Sequence, residues 1–91
     1  MSVIVRIPPP LRERCGDKAE LTMAASTVAG ALALIEQSHP SLYRGVCDET
    51  GSVRQHINLF VNKGLIRGPQ GLQTVLAPGD TLTIMPAVSG G

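Results

Sequence analysis

The residues that most clearly suggest a chemical function are the last two of the sequence, Gly90 and Gly91. Glycine has no side chain, so a terminus made of two glycines can enter a narrow channel and present its carboxylate to the active site of another protein. A frayed terminus without a function is the alternative, because the last residues of most domains are poorly ordered. The functional interpretation requires that the preceding residues form a folded domain from which this terminus projects.

A strand is predicted immediately before this terminus. Residues 81–85 (TLTIM) alternate between polar and apolar side chains, which is typical of a strand with one buried face and with Met85 on the other face. Pro86 has no N–H to donate, so we expect the hydrogen bonding of the strand to end there. We therefore expect a folded domain over residues 1–86 and a flexible tail over residues 87–91.

The remaining residues supply the other elements of one domain. Apolar alternation or turn residues at the boundaries predict four more strands, at residues 3–7, 19–23, 57–61 and 65–67. Apolar residues at helical spacing predict one main helix, which begins after Ser26 or Thr27 as N-cap and ends before Pro40. Short helical turns are expected within residues 41–47 and 72–76, whereas residues 11–18 are expected to be a polar connection.

This order of elements predicts an α+β domain. A mixed sheet with the helix on one face hides all the apolar stripes, with the first strand in the middle and the last strand parallel to it. That layout is the β-grasp arrangement of ubiquitin-like proteins, and it leaves the C-terminus as a free arm.

The composition argues against several classes of partner. The net charge is +1, and the sequence has one Phe, one Tyr and no Trp, so neither a basic patch nor a stacking platform for nucleic acid is expected. No apolar run is long enough for a membrane span. Cys15 and Cys47 have no CxxC spacing and are expected to be free thiols in a reducing cytoplasm. His39 and His56 lack further ligands at zinc-binding spacing, so no metal site is expected.

Three segments of the sequence resemble a known family. They are residues 57–62 (INLFVN), residues 71–72 (GL) and, most specifically, residues 78–91 (PGDTLTIMPAVSGG). With these segments the chain resembles the ubiquitin-like sulfur carriers of the MoaD/ThiS family. Its length and the loop of residues 47–56 are most similar to the longer carriers of cysteine biosynthesis.

The resemblance implies chemistry at the terminus rather than an enzyme. An ATP-dependent, ubiquitin-activating-like enzyme would adenylate the carboxylate of Gly91, with Gly90 as its slim neighbour. A sulfur donor would then displace AMP and leave a thiocarboxylate, whose sulfur passes to an acceptor on a biosynthetic partner enzyme. The carrier itself would bind no cofactor, because the partner consumes the ATP.

The alternation of the strands also predicts a surface for such partners. If the helix covers one face of the sheet, Ile4, Phe60 and Met85 should lie together on the uncovered face, and a cluster of exposed apolar residues suggests an interface. Arg67 could add a charge at its rim.

Other functions remain compatible with the same terminus. The chain could be the small subunit of a complex of the molybdopterin-synthase type, or a ubiquitin-like modifier that forms isopeptide bonds. It could also be an interaction domain with an inert tail.

Overall fold

A computed structural model of the chain describes residues 2–87, which form one five-stranded sheet with helical segments. The strands are β1 (Val3–Arg6), β2 (Glu20–Met23), β3 (Ile57–Val61), β4 (Gly64–Ile66) and β5 (Thr81–Pro86). The helical segments are a 3₁₀ helix (Pro9–Cys15) and the α-helices α1 (Val28–Ser38), α2 (Pro40–Val46) and α3 (Gly68–Gly71).

The strand order of the sheet is β2-β1-β5-β3-β4. β1 pairs with β2 in antiparallel and with β5 in parallel orientation, and β3 is antiparallel to both β5 and β4. The mixed sheet with parallel first and last strands is therefore confirmed. The expectation that the first strand lies in the middle is wrong, because β5 has two strands on each side and occupies the centre, whereas β1 is second in the order.

The core lies between one face of the sheet and the helices. Leu82 and Ile84 of β5 are almost completely buried, at 0% and 1% exposure. The residues of α1 that the helical spacing placed inside are also buried: Val28, Ala31, Leu32 and Ile35. α2 adds Leu42 and Val46 to the same core. The other face of the sheet, which we call the open face, carries the alternate residues of each strand.

Local sequence signals explain the ends of α1. Thr27, rather than Ser26, is the N-cap, and its Oγ1 accepts a hydrogen bond of 3.0 Å from the N–H of Gly30. The helix ends at His39, since the residue before a proline avoids the helical conformation. Pro40 then begins α2, the helical turn that was expected in this region. Among residues 2–87, no helix has the length and apolar character that crossing a membrane requires.

Two connections differ from the sequence predictions. The polar connection expected at residues 11–18 is largely the 3₁₀ helix, in which consecutive prolines fix the helical φ angle and Cys15 is buried. The helical turn expected within residues 72–76 is also wrong, because α3 lies earlier, with Pro69 in its first turn. Val75 instead forms an isolated bridge with Thr27 and is 73% exposed.

Gly71 leaves little room for a side chain where α3 packs against the end of β4. A Cβ atom on Gly71 would lie 3.1 Å from Cβ and 3.3 Å from the carbonyl carbon of Ile66. We expect Gly71→Ala to lower the free energy of unfolding by about 1–3 kcal/mol, because the backbone of β4 must move. Gly64→Ala is the matched control, since its Cβ would meet only the carbonyl oxygen of Val61 at 3.6 Å. Urea unfolding that shows equal stability for both variants would contradict this packing requirement.

Candidate functional site

The hydrogen bonding of β5 continues beyond the residue at which the sequence predicted its end. We call Pro86 and Ala87, where the tail begins, the root of the tail. Pro86 is paired with Ile57, and the N–H of Ala87 donates to the carbonyl of His56 at 2.6 Å. The expectation that hydrogen bonding ends at Pro86 is therefore wrong, because proline lacks a donor itself but leaves the next N–H free to continue the pairing.

The reactive residues expected from the sequence, Gly90 and Gly91, lie outside the described residues. The predicted boundary between a domain of residues 1–86 and a tail of residues 87–91 stays a prediction.

The open face carries a group of apolar side chains close to the tail root. Phe60 on β3 is paired with Leu65 of β4 on one side and with Thr83 of β5 on the other. Met85 lies two residues further along β5, diagonal to Phe60, at a distance that long side chains can bridge. Leu65 is 40% and Met85 45% exposed, and Phe60 is half-buried. We call Phe60, Leu65 and Met85 the open-face patch.

Leu65 was missed by the sequence reasoning, and Ile4 is less central than expected. The pairing of Leu65 with Phe60 is the signal that places it on the open face, because Ile66 then faces the core opposite Leu59. Ile4 shares the open face, but it is paired with Thr81, at the start of β5 and away from Met85 at its end. The structure thus brings Phe60 and Met85 together and leaves Ile4 apart from them.

Arg67 lies at the tail end of the sheet. It follows β4 directly, keeps an extended backbone and is exposed, so continued alternation from Leu65 places it on the open-face side. The next pair in the register after Leu59 and Ile66 would set Arg67 beside Asn58, which is itself paired with Met85. Arg67 also lines a groove in which the strand residues Ile57 and Leu59 face the core, so its position at the rim of the open-face patch stays a prediction.

A polar network fixes the opposite end of β5. The carboxylate of Asp80 accepts hydrogen bonds from the N–H of Ala77 at 2.8 Å and from the side-chain amide of Asn62 at 3.1 Å. The side-chain oxygen of Asn62 in turn accepts from the N–H of Thr81 at 3.0 Å. These bonds, the one to Ala77 above all, hold the pKa of Asp80 below its usual range. The network joins the β3–β4 turn to the start of β5 and so helps to fix the direction of that strand.

Asp80→Ala is expected to lower the melting temperature at neutral pH, because the N–H of Ala77 and the Asn62 amide lose their acceptor. A carboxyl group with a lowered folded-state pKa stabilises the fold above its unfolded pKa, near 3.9, and this stabilisation is lost as the pH falls through the folded value. The difference in melting temperature from wild type should therefore shrink below about pH 4. Circular dichroism melts at several pH values test this, with Glu13→Ala as an exposed carboxylate control. A difference that is independent of pH would contradict the role of the carboxylate.

The two thiols are buried in the core and free. Burial raises the pKa of Cys47 by more than the hydrogen bond with Tyr43 lowers it. The thiol therefore stays protonated and weakly nucleophilic near neutral pH. Within residues 2–87, no three His, Cys, Asp or Glu side chains come together as a metal site.

Comparisons of sequence and structure with known proteins identify the family. The sequence matches the ThiS family over residues 5–91. It is 31% identical, over 93 aligned residues and the full length of both chains, to the sulfur carrier protein CysO of Mycobacterium tuberculosis. A chain in the crystal structure of the BexX/CysO complex of Amycolatopsis orientalis superposes with a TM-score of 0.85 at 34% identity, covering 98% of this chain and 99% of that one.

A third relative has the same fold. The crystal structure of SAMP1, small archaeal modifier protein 1, from Haloferax volcanii gives a TM-score of 0.81 at 29% identity over all of both chains. These similarities confirm the predicted ubiquitin-like β-grasp fold. The chain belongs to the ThiS family of β-grasp proteins, and its relatives include sulfur carrier proteins.

Proposed function

We propose that this chain is a sulfur carrier protein whose C-terminal carboxylate, on Gly91, is adenylated by an ATP-dependent partner enzyme and converted to a thiocarboxylate. The full-length similarity to the sulfur carrier CysO is the observation that carries this proposal. The central strand β5, which leads directly to the tail, supports it, because it gives the tail a fixed origin.

The chemistry needs activation of the terminus by a partner. A carboxylate is a poor electrophile, because its charge and resonance oppose attack by a nucleophile. Attack of the carboxylate on the α-phosphorus of ATP forms an acyl adenylate and releases pyrophosphate. Hydrosulfide from a sulfide donor then attacks the carbonyl carbon, AMP leaves with the electrons of the broken C–O bond, and loss of the proton on sulfur gives the thiocarboxylate. The carrier contributes by positioning its carboxylate, which converts an encounter into an oriented reaction.

The body of the domain supplies the positioning. The hydrogen bond from Ala87 to His56 ties the root of the tail to the sheet, so fewer residues lose conformational freedom when the tail docks. Gly90 keeps the reactive end slim. The open-face patch lies beside this root and offers the partner an apolar surface, with Ile4 as an outlying apolar residue on the same face. The carrier needs no cofactor of its own, since the partner binds the ATP.

The partners follow from the same chemistry. They are a ubiquitin-activating-like adenylating enzyme, a sulfur donor and a biosynthetic enzyme that accepts the sulfur. CysO of A. orientalis has been crystallised in a complex with BexX, which shows that a related chain binds a partner protein. We place the chain in the cytoplasm, where ATP is available and the buried thiols Cys15 and Cys47 stay reduced.

Intact mass spectrometry tests the proposal. The purified chain is incubated with ATP and the adenylating enzyme of the same genome, first alone and then with a sulfide donor. We expect an AMP adduct in the first reaction and, in the second, a mass gain equal to the exchange of one oxygen for one sulfur. A chain that gains neither would refute the proposed function.

A protein modifier is the second candidate, because small archaeal modifier protein 1 is similar over the full length. In that case the activated carboxylate of Gly91 would form an isopeptide bond with a lysine amine. Tagged chain isolated from cells and digested with a protease should then yield branched peptides with the tail on lysine. Thiocarboxylate without such peptides favours the carrier alone.

A further inference from the structure

A groove with a volume of about 450 Å³ lies one strand away from the root of the tail. One wall is the loop of residues 52–55, and the other is the segment from Ile66 through α3 to Leu72. The start of β3 forms its floor, and the first residue of β3, Ile57, is paired with Pro86. A partner that takes up the tail must therefore come close to this groove, since neighbouring strands lie about 4.8 Å apart.

The groove combines an apolar floor with a cationic rim. Ile57 and Leu59 are buried beneath it, and Ile66 and Leu72 are half-buried at its sides. Two exposed arginines, Arg54 and Arg67, also line the groove, and none of its lining residues within 2–87 carries a carboxylate. An apolar surface with two guanidinium groups at its edge matches a segment that presents both an apolar side chain and carboxylates.

The two arginines differ in how far their charge is already balanced. Arg54 donates from its Nε to the carbonyl of Arg44 at 2.8 Å, which holds its side chain, and Asp48 lies near it on the side away from the groove. Among residues 2–87, no side-chain hydrogen bond or ion pair of Arg67 is found, and the ion pair in this part of the chain joins Arg6 and Glu20. The positive charge of Arg67 is therefore the less compensated of the two and should contribute more to binding.

We propose that this groove receives an acidic, apolar segment of the adenylating enzyme, with Arg67 as the main charge contact and Arg54 as the second. This inference rests on the proposed function and adds a contact distinct from the open-face patch. The charge complementarity would orient the carrier so that its tail points into the active site of the enzyme.

Steady-state adenylation kinetics with varied carrier concentration test the inference. Arg67→Gln is expected to raise the KM for the carrier roughly tenfold with kcat unchanged, Arg67→Glu to raise it further, and Arg54→Gln to have a smaller effect. The increase should shrink at high salt, because ions screen exposed charges. Lys63→Gln is the matched control: it removes a positive charge from the turn at the other end of the same β3–β4 hairpin, far from the groove.

The outcomes separate this inference from the proposed function. If wild-type chain is adenylated and Arg67→Glu has the same KM as Lys63→Gln, the groove does not bind the enzyme. The groove then either binds a small molecule or binds nothing. If even wild-type chain is not adenylated, the proposed function fails and this inference fails with it. Melting curves that match wild type for each arginine variant assign a raised KM to binding rather than to unfolding.

Discussion

Deletion of Gly91 is expected to abolish thiocarboxylate formation and to leave the fold intact. The deletion moves the terminal carboxylate back by one residue, about 3.5 Å in an extended chain. A displacement of about 1 Å at a reacting centre can already reduce a rate about a hundredfold, so the partner should no longer activate the shortened terminus. The core should be unaffected, because the last of its buried residues within 2–87 is Ile84.

Intact mass spectrometry after reaction with ATP, the adenylating enzyme and a sulfide donor measures this effect. Ser89→Ala is the matched control, since it changes the tail but keeps its length and both glycines. We expect the control to gain sulfur like wild type and both variants to melt like wild type. Sulfur uptake by the deletion variant at the wild-type rate would move the reactive site away from Gly91.

The strands and the main helix could be predicted because their burial pattern is local. Leu82 and Ile84 alternate with polar residues along β5, and the buried residues of α1 recur at helical spacing, so each element reveals its inner face by itself. The position of β5 at the sheet centre could not be predicted in this way. Both β1 and β5 pair along both of their edges, and the alternation of side chains does not record which strands are their partners.

The surface beside the tail was predictable only in part for the same reason. Phe60 and Met85 follow from alternation within their own strands, whereas Leu65 is assigned only by its register against Phe60. α3 was missed because glycine and proline normally indicate a break, and here they form a single helical turn. The groove joins Arg54 and Arg67 from separate segments, so no pattern within either segment reveals it.

Replacing the exposed members of the open-face patch is expected to weaken binding of the adenylating enzyme. The double variant Leu65→Ser/Met85→Ser removes apolar side chains that are 40% and 45% exposed in the free chain and that a partner would bury. Truncation of the few hot-spot residues of an interface costs about 2 kcal/mol or more, so if the patch holds such residues we expect the KM for the carrier to rise roughly thirtyfold. The rise should persist at high salt, because apolar burial is not screened by ions.

Val75→Ser provides the control for a loss of exposed apolar surface as such. Val75 is more exposed than either patch residue, at 73%, but it lies outside the sheet, next to the start of α1. We expect this variant to keep the wild-type KM, and all variants should keep a cooperative melting transition. If Val75→Ser raises the KM as much as the double variant, the enzyme does not dock on the open face. A salt-insensitive rise confined to the double variant, beside a salt-sensitive rise in Arg67→Gln, would show that apolar and charged contacts flank the tail root independently.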